Sequence, residues 1–159
     1  MIRHTTLPAA DPADGVALRM VEDEAGVDDF IAVNAQAYGS YGMPAEVLSD
    51  LFDQPTVVLE DTAVHIVVAL RGSEPVAAAM VYESDGVAGL QWVGTVPGAR
   101  TGGLGALVTV AATNLAFEHG ASSCTLQASP MGAPLYLRLG YEAIYHYGEH
   151  VRWPQPHKA

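Results

Sequence analysis

The feature of this sequence that most constrains its fold is a glycine-rich segment between a strand and a long apolar helix. Residues 87–95 are rich in β-forming side chains and end at Pro97-Gly98, and three glycines follow within residues 102–105. Apolar residues then recur at helical spacing up to His119-Gly120, which is typical of a helix end. The first N–H groups of such a helix lack intrahelical partners, and glycines leave them accessible. The segment therefore predicts a phosphate-binding site.

The residues around these glycines narrow the kind of phosphate ligand. A P-loop would need Gly-Lys-Ser or Gly-Lys-Thr, which does not occur in the chain. A dinucleotide fingerprint starting at Gly103 would need glycine or alanine where Val108 stands, and an acid on the next strand, where residues 123–127 have none. The remaining pattern is Arg-x-x-Gly-x-Gly at residues 100–105, here called the glycine loop. Arg100 adds a permanent cation beside it.

The rest of the chain predicts a mixed α/β fold in a single domain over residues 1–159, with loose ends at 1–15 and 153–159. Strands are expected at Val16–Val21, Val64–Leu70, Val76–Tyr82, Val87–Thr95 and Ser123–Ala128, with one or two more within Tyr141–Val151. Helices are expected at Glu22–Tyr38, Pro44–Phe52, from Leu104 to His119, and at Met131–Leu139. Val57–Leu59 is too short to place.

Charge and composition disfavour several classes of partner. Seven Lys+Arg oppose 18 Asp+Glu, for a formal charge of −11, which repels nucleic acid and anionic membranes. Such a charge would favour the approach of cationic small molecules or basic peptides, although acidity more often only keeps a protein soluble. Cys124 is the single cysteine, so the chain has no intrachain disulfide and no thiolate zinc cluster. His146 and His150 lack an evident third ligand, so no metal is expected. No apolar run is long enough for a membrane span, and we expect a cytoplasmic protein.

A second motif lies one strand beyond the glycine loop. Residues 135–141 read Leu-Tyr-Leu-Arg-Leu-Gly-Tyr. Together, the two segments resemble the GNAT superfamily of acetyl-CoA-dependent N-acetyltransferases, whose pattern is strand, Arg/Gln-x-x-Gly-x-Gly/Ala, helix, strand, and a helix ending in Leu-Tyr-x-x-x-Gly-Phe/Tyr. The motif resemblance covers about residues 87–147. It implies a central sheet with a splay between the strands at 87–95 and 122–128, and acetyl-CoA as co-substrate.

The resemblance also implies roles for individual residues. Main-chain N–H groups of the glycine loop would hold the CoA pyrophosphate: Arg100, Thr101, Gly102, Gly103, Leu104 and Gly105. The strand residues Val93, Gly94 and Thr95 would pair with the pantetheine arm. Tyr136 occupies the general-acid position, and Arg138 would approach the nucleotide. Ser129 stands where many members have an asparagine that bonds the pantetheine, and Thr101 replaces a common glycine.

The implied reaction is direct attack, in a ternary complex, by a primary amine of a small molecule or peptide on the acetyl thioester. Tyr136 would protonate the departing thiolate, and a main-chain N–H around Val93–Thr95 would stabilise the charged oxygen. Glu83 is the candidate base, although Glu83-Ser84-Asp85-Gly86 also reads as an exposed turn. Tyr38 and Tyr41 fall where the family builds its acceptor site, although paired tyrosines in a loop are as often packing residues.

Other readings remain open at this point. A catalytically silent acyl-CoA sensor would keep the glycine loop without turnover. An NAD enzyme lacks its third glycine and its acid, and a serine hydrolase lacks a Gly-x-Ser-x-Gly elbow. The amine acceptor, the length of the acyl chain and the oligomeric state, including a possible homodimer, are not determined by the sequence.

Overall fold

The computed structural model describes residues 1–146 and 148. The strands are β1 (Ile2–Arg3), β2 (Val16–Met20), β3 (Val64–Arg71), β4 (Glu74–Ser84), β5 (Val87–Thr95) and β6 (Ser123–Leu126). The helices are α1 (Glu24–Gly39), α2 (Glu46–Leu51), α3 (Pro55–Glu60), α4 (Leu104–Glu118) and α5 (Ala133–Arg138), with a short 3₁₀ helix at Pro97–Ala99. The predicted mixed α/β fold is confirmed. None of the helices in the described part of the chain is long and apolar enough to cross a membrane.

One six-stranded sheet organises the molecule. Its order is β1-β6-β5-β4-β3-β2, and β5 with β6 is the parallel pair, while the other neighbours are antiparallel. In β4, every residue from Val76 to Val81 is buried. Because successive strand residues point to opposite faces, both faces of the sheet must be covered. Helices α1 and α4 both pack on β4, one on each face.

The centre of β4 consists of small residues. Ala77, Ala78 and Ala79 are each 0 % exposed and contribute only a methyl group to the space between the sheet and its helices. Helix α4 is apolar on most of its circumference, and its buried positions include Val108, Thr109 and Ala112. A helix that is apolar nearly all round needs cover on several sides, which the sheet and the segment around Leu7 provide here.

The amino-terminal end corrects one sequence prediction. Residues 1–15 are not loose throughout, because β1 pairs with the outer edge of β6 and Leu7 is buried. The main chain of Leu7 is held at both its N–H and its carbonyl by the Asn114 side chain, at 2.7 and 2.9 Å. A two-residue strand is too short for an alternating pattern, so the periodicity of the sequence could not reveal it.

The other differences are small. Val57–Leu59, unplaced from sequence, belongs to α3, and helix α2 is shorter at both ends than Pro44–Phe52. Of the closing strands expected within Tyr141–Val151, the structure shows a single bridge from Glu142 to Ile2. Tyr147 and residues 149–159 lie outside the described residues, so the remainder of that prediction, His150 and the loose end at 153–159 included, stays a prediction.

The strand β5 separates from β6 partway along its length. The two strands pair from Val87 to Leu90 and from Ser123 to Leu126, after which β6 ends while β5 continues to Thr95 beside β4. In the β4–β5 ladder, Trp92 and Val93 together oppose Ala79, which is a β-bulge, and Trp92 has a positive φ of 50°. The predicted splay between residues 87–95 and 122–128 is therefore present and begins at the bulge.

Gly94, directly after the bulge, allows α1 to lie against β5. A Cβ at this position would lie 2.4 Å from Asn34 Oδ1 and 3.1 Å from Ala37 Cβ, both on α1. Asn34 is 0 % exposed and donates from Nδ2 to the Phe30 carbonyl, so it has little room to move. We expect Gly94→Ala to destabilise the fold by about 1–3 kcal/mol, the usual cost of overpacking.

Thermal or urea unfolding measures this effect. Gly98→Ala is the matched control, because a Cβ at Gly98 would have no atom within 4 Å and because Gly98, like Gly94, precedes the glycine loop in sequence. Equal stability of the two variants would contradict the close approach of α1 to β5.

Candidate active site

The glycine loop presents a row of free main-chain donors. The first bond of the α4 ladder runs from Leu107 N–H to the Gly103 carbonyl at 3.0 Å. Within residues 1–146 and 148, nothing accepts a hydrogen bond from the N–H groups between Thr101 and Ala106. Such donors at the positive end of a helix favour an anion.

The three glycines of the loop do different things. Gly103 precedes α4 in the left-handed region, with φ of 77°, and a Cβ there would meet no atom within 4 Å. A Cβ on Gly105 would instead face Thr95 Oγ1 at 3.4 Å and Leu135 Cδ2 at 3.6 Å, so Gly105 serves packing against β5 and α5. Gly102 lies near the Ala99 carbonyl. The open surface beside the free donors is therefore at Gly103.

Thr101 lies in a main-chain conformation that favours glycine. Its φ is 68°, in the left-handed region where a β-branched residue is strained. Its hydroxyl donates to the Arg100 carbonyl at 2.6 Å, which helps to hold the strained turn. The loop therefore keeps its shape without the common glycine.

Arg100 is engaged differently from the sequence prediction. Its main-chain N–H donates to the Pro97 carbonyl at 3.4 Å, so it is not one of the free donors. Its guanidinium points to the end of α1, where it donates to the Ala37 carbonyl and to Ser40 Oγ at 3.1 and 2.8 Å. Main-chain and hydroxyl oxygens hold this side chain, and its role toward a phosphate stays a prediction.

Tyr136 lies on α5, near Tyr141 and Tyr38. It is 8 % exposed on α5, and its ring meets that of Tyr141 edge-on at a centroid distance of 6.0 Å. Burial, and secondarily the nearby Tyr38, raise the pKa of Tyr136, so its phenol stays protonated at neutral pH. No described residue hydrogen-bonds its hydroxyl. A protonated, unengaged phenol is suited to giving a proton and not to taking one.

Aromatic side chains line the α1–α2 side of the splay, and the sequence analysis missed two of them. This aromatic wall consists of Tyr38, Tyr41, Phe52 and Trp92. The Trp92 ring centroid is 5.3 Å from that of Tyr38 and 6.2 Å from that of Phe52. Tyr41 is 54 % exposed, and its hydroxyl is 3.1 Å from Met131 Sδ in the segment before α5. A tryptophan directly before Val93-Gly94 was the sequence signal that could have pointed to an aromatic residue at this site. No residue type in the sequence indicates the left-handed φ of Trp92.

Glu83 lies elsewhere. Its carboxylate Oε1 is 3.9 Å from His65 Nε2, and the His65 ring stacks at 4.0 Å on that of His119, at the C-terminal end of α4. The glycine loop is at the other end of that helix, which spans about 22 Å. Burial and then His119 lower the pKa of His65, so its imidazole is mainly neutral at neutral pH. The structure does not bring Glu83 to Tyr136, and its role as base stays a prediction.

Ser129 and Arg138 flank α5. Ser129 Oγ accepts from the Gly132 N–H at 3.1 Å and so caps the turn before that helix, while remaining exposed. Arg138 is exposed in the last turn of α5. Cys124 is fully buried in β6, and burial raises the pKa of its thiol. The roles of Ser129 and Arg138 toward a cofactor stay predictions.

Comparison with known proteins identifies the family. The profile described as "Acetyltransferase (GNAT) domain" matches residues 7–132. With the glycine loop, the splayed parallel strands and Tyr136, this match shows that the chain belongs to the GNAT acetyltransferase family. No curated protein matches the sequence significantly.

Solved structures share the fold. A GCN5-related N-acetyltransferase from Kribbella flavida is 29 % identical with a TM-score of 0.65; the match covers 86 % of this chain and 50 % of that one, so the chain spans about half its length. A Clostridium acetobutylicum acetyltransferase with acetyl-CoA is 16 % identical (TM-score 0.68), with 86 % and 96 % covered. Aminoglycoside N-acetyltransferase AAC(6')-Iy with CoA is 13 % identical (TM-score 0.70), with 90 % and 98 % covered.

The raised pKa of Tyr136 has a spectroscopic consequence. Free tyrosine ionises between about pH 8 and 10.5, and absorbance reports the tyrosinate that forms. We expect Tyr136→Phe not to alter the absorbance change over this pH range. Since the folded-state pKa lies above the unfolded one, the stability that this phenol contributes is lost as the pH rises above about 10. The variant should therefore resist alkaline unfolding better than the parent. Loss of one tyrosinate from the titration would contradict the burial of this phenol.

Proposed function

We propose that this protein is an N-acetyltransferase that uses acetyl-CoA to acetylate a primary amine of a small molecule or peptide. The observation that carries the proposal is the row of free N–H groups from Thr101 to Ala106, which follows a strand that continues beyond the end of its pairing with β6 at Leu90. We place the reaction in the cytoplasm, in one domain formed by this chain.

The residues present fit the cofactor. Donors of the glycine loop would bind the pyrophosphate at the open face of Gly103. Main-chain groups of Val93, Gly94 and Thr95, beyond the end of the β6 pairing, would bond the pantetheine amides. Acetyl-CoA supplies the activated acetyl thioester when it is bound. The described residues contain no group of three or more side chains arranged to hold a metal ion.

Side chains and one main-chain group of the site would then perform three tasks. Tyr136 holds a proton for the departing thiolate, since its phenol is neutral. A main-chain N–H near the bulge at Trp92–Val93 would bond the acyl oxygen as charge develops. The aromatic wall would exclude water and pack on the acceptor. Ten of the 18 acidic residues of the chain lie within residues 22–61, where no Lys or Arg occurs, and their negative charge would attract a cationic amine.

One observation favours a second function. Glu83 lies beside His65 and His119 and makes no described contact with Tyr136, so the candidate base is not part of the site around the phenol. A catalytically silent acyl-CoA sensor would need the glycine loop and no base. The two functions differ in turnover, not in cofactor binding.

The open face at Gly103 gives a test of cofactor binding. We expect Gly103→Val to weaken CoA binding at least tenfold in calorimetry, because the side chain would occupy the approach to the free donors. Gly120→Val is the matched control: Gly120 follows the same helix, also has a positive φ and also has nothing within 4 Å of its Cβ position. Backbone strain alone would weaken both variants equally, and that outcome would reject the loop as the phosphate site.

Tyr136 gives a test of catalysis. Amines of several classes (polyamines, amino acids, aminoglycosides and peptide N-termini) are screened with acetyl-CoA and a thiol-release assay. On any acceptor found, Tyr136→Phe should lower kcat at least tenfold, about 1.4 kcal/mol of barrier, with CoA affinity nearly unchanged. Tyr82→Phe, which removes an exposed hydroxyl from β4, should have no effect. Full activity of Tyr136→Phe would remove its role as acid, and tight CoA binding without any turnover would favour the sensor.

A further inference from the structure

The Arg100 side chain joins three separate parts of the site. Its Nε donates to the Thr95 carbonyl at 3.3 Å, at the end of β5. Its Nη2 donates to the Ala37 carbonyl and to Ser40 Oγ, at the end of α1. Its guanidinium carbon lies 5.5 Å from the centre of the Tyr41 ring, within the range of a cation–π contact. Nη1 alone makes no hydrogen bond to a described residue.

Two partners of this guanidinium, the Ala37 carbonyl and Ser40 Oγ, lie at the negative end of a helix. The last turn of α1 carries no basic residue, although a cation there would stabilise the unbonded carbonyls. The Ala37 carbonyl accepts from the Ser40 hydroxyl at 2.6 Å as well as from Arg100. Arg100 therefore supplies, from the glycine loop, the charge that the end of α1 lacks.

This bond network connects the cofactor loop to the acceptor side of the site. Arg100 immediately precedes the free donors that begin at Thr101, while Ala37 and Ser40 bracket Tyr38 and precede Tyr41. A planar guanidinium with donors in a fixed fork can reach several acceptors at once, whereas an ammonium cannot hold the same arrangement.

We propose that Arg100 is a positioning residue that couples the glycine loop to the end of α1, so that a cofactor bound at the loop also orders residues 38–43 of the acceptor side. This inference rests on the proposed function. It assigns the arginine of the loop to coupling between the two substrates, and not to binding the pyrophosphate.

Amide hydrogen exchange with CoA as the probe tests the coupling without a known acceptor. In the parent protein, CoA should slow exchange both at residues 101–106 and at residues 38–43. In Arg100→Gln, CoA should bind with a Kd within fivefold of the parent and protect 101–106, but no longer protect 38–43. Arg100→Lys should behave like Arg100→Gln, since charge without the fork does not restore the bonds.

Two further variants keep the test decisive. Arg71→Gln is the matched control, because Arg71 is exposed at the end of β3 and away from the loop, and it should retain both protected segments. Ser40→Ala removes one acceptor and leaves the charge of Arg100 in place, so it should reduce the protection of 38–43 without changing the Kd for CoA. The Ser40→Ala variant also keeps the coupling testable if Arg100→Gln does not fold.

The contrary outcomes are distinct. A loss of CoA affinity greater than fivefold in Arg100→Gln, restored by Arg100→Lys, would show a phosphate ligand and overturn the coupling. Protection of 38–43 by CoA in Arg100→Gln and Ser40→Ala would overturn it too. Failure of CoA to bind the parent protein would instead refute the proposed function, and the coupling with it.

Discussion

The parallel pairing of β5 with β6 lasts for four residue pairs, and the whole site depends on the point at which it stops. Beyond Leu90, the bulge at Trp92–Val93 turns β5 while it remains bonded to β4. Main-chain groups of β5 beyond Leu90 thus have no partner in β6, which leaves a strand edge with which an extended ligand can pair. The same strand then leads into the 3₁₀ turn and to the free donors of α4, so a long ligand can lie along one continuous stretch of main chain.

Much of this arrangement could be predicted from the sequence, because it depends on local main-chain geometry. Gly103 before an apolar helix predicts exposed N–H groups, and the structure places that glycine in the left-handed region with open space beside it. The Leu135–Tyr141 segment, one strand downstream, could be placed beside the loop only through the family resemblance, and in the structure Leu135 lies near Gly105 of the loop. The β5 strand was predicted at its observed bounds, Val87–Thr95, since it is bounded by turn-forming residues on both sides.

The rest could not be predicted because it depends on contacts between residues distant in sequence. Arg100 is 63 residues from Ala37, and its acceptor there is a main-chain carbonyl, which every residue possesses. The left-handed φ of Trp92 arises from the register of β5 against β4, which no residue type marks. Glu83 was a candidate base because it ends a strand near the motif, but which neighbours it meets was decided by the pairing of β3 with β4, which sets it beside His65.

The three alanines at the centre of β4 have a mechanical consequence. Ala77, Ala78 and Ala79 place only methyl groups between the backbone of β4 and the helices α1 and α4 that pack on it. Interiors packed this closely have low compressibility, so a displacement at one surface reaches the other with little loss. The helices that carry the free donors and the aromatic side chains thus both bear on one closely packed strand.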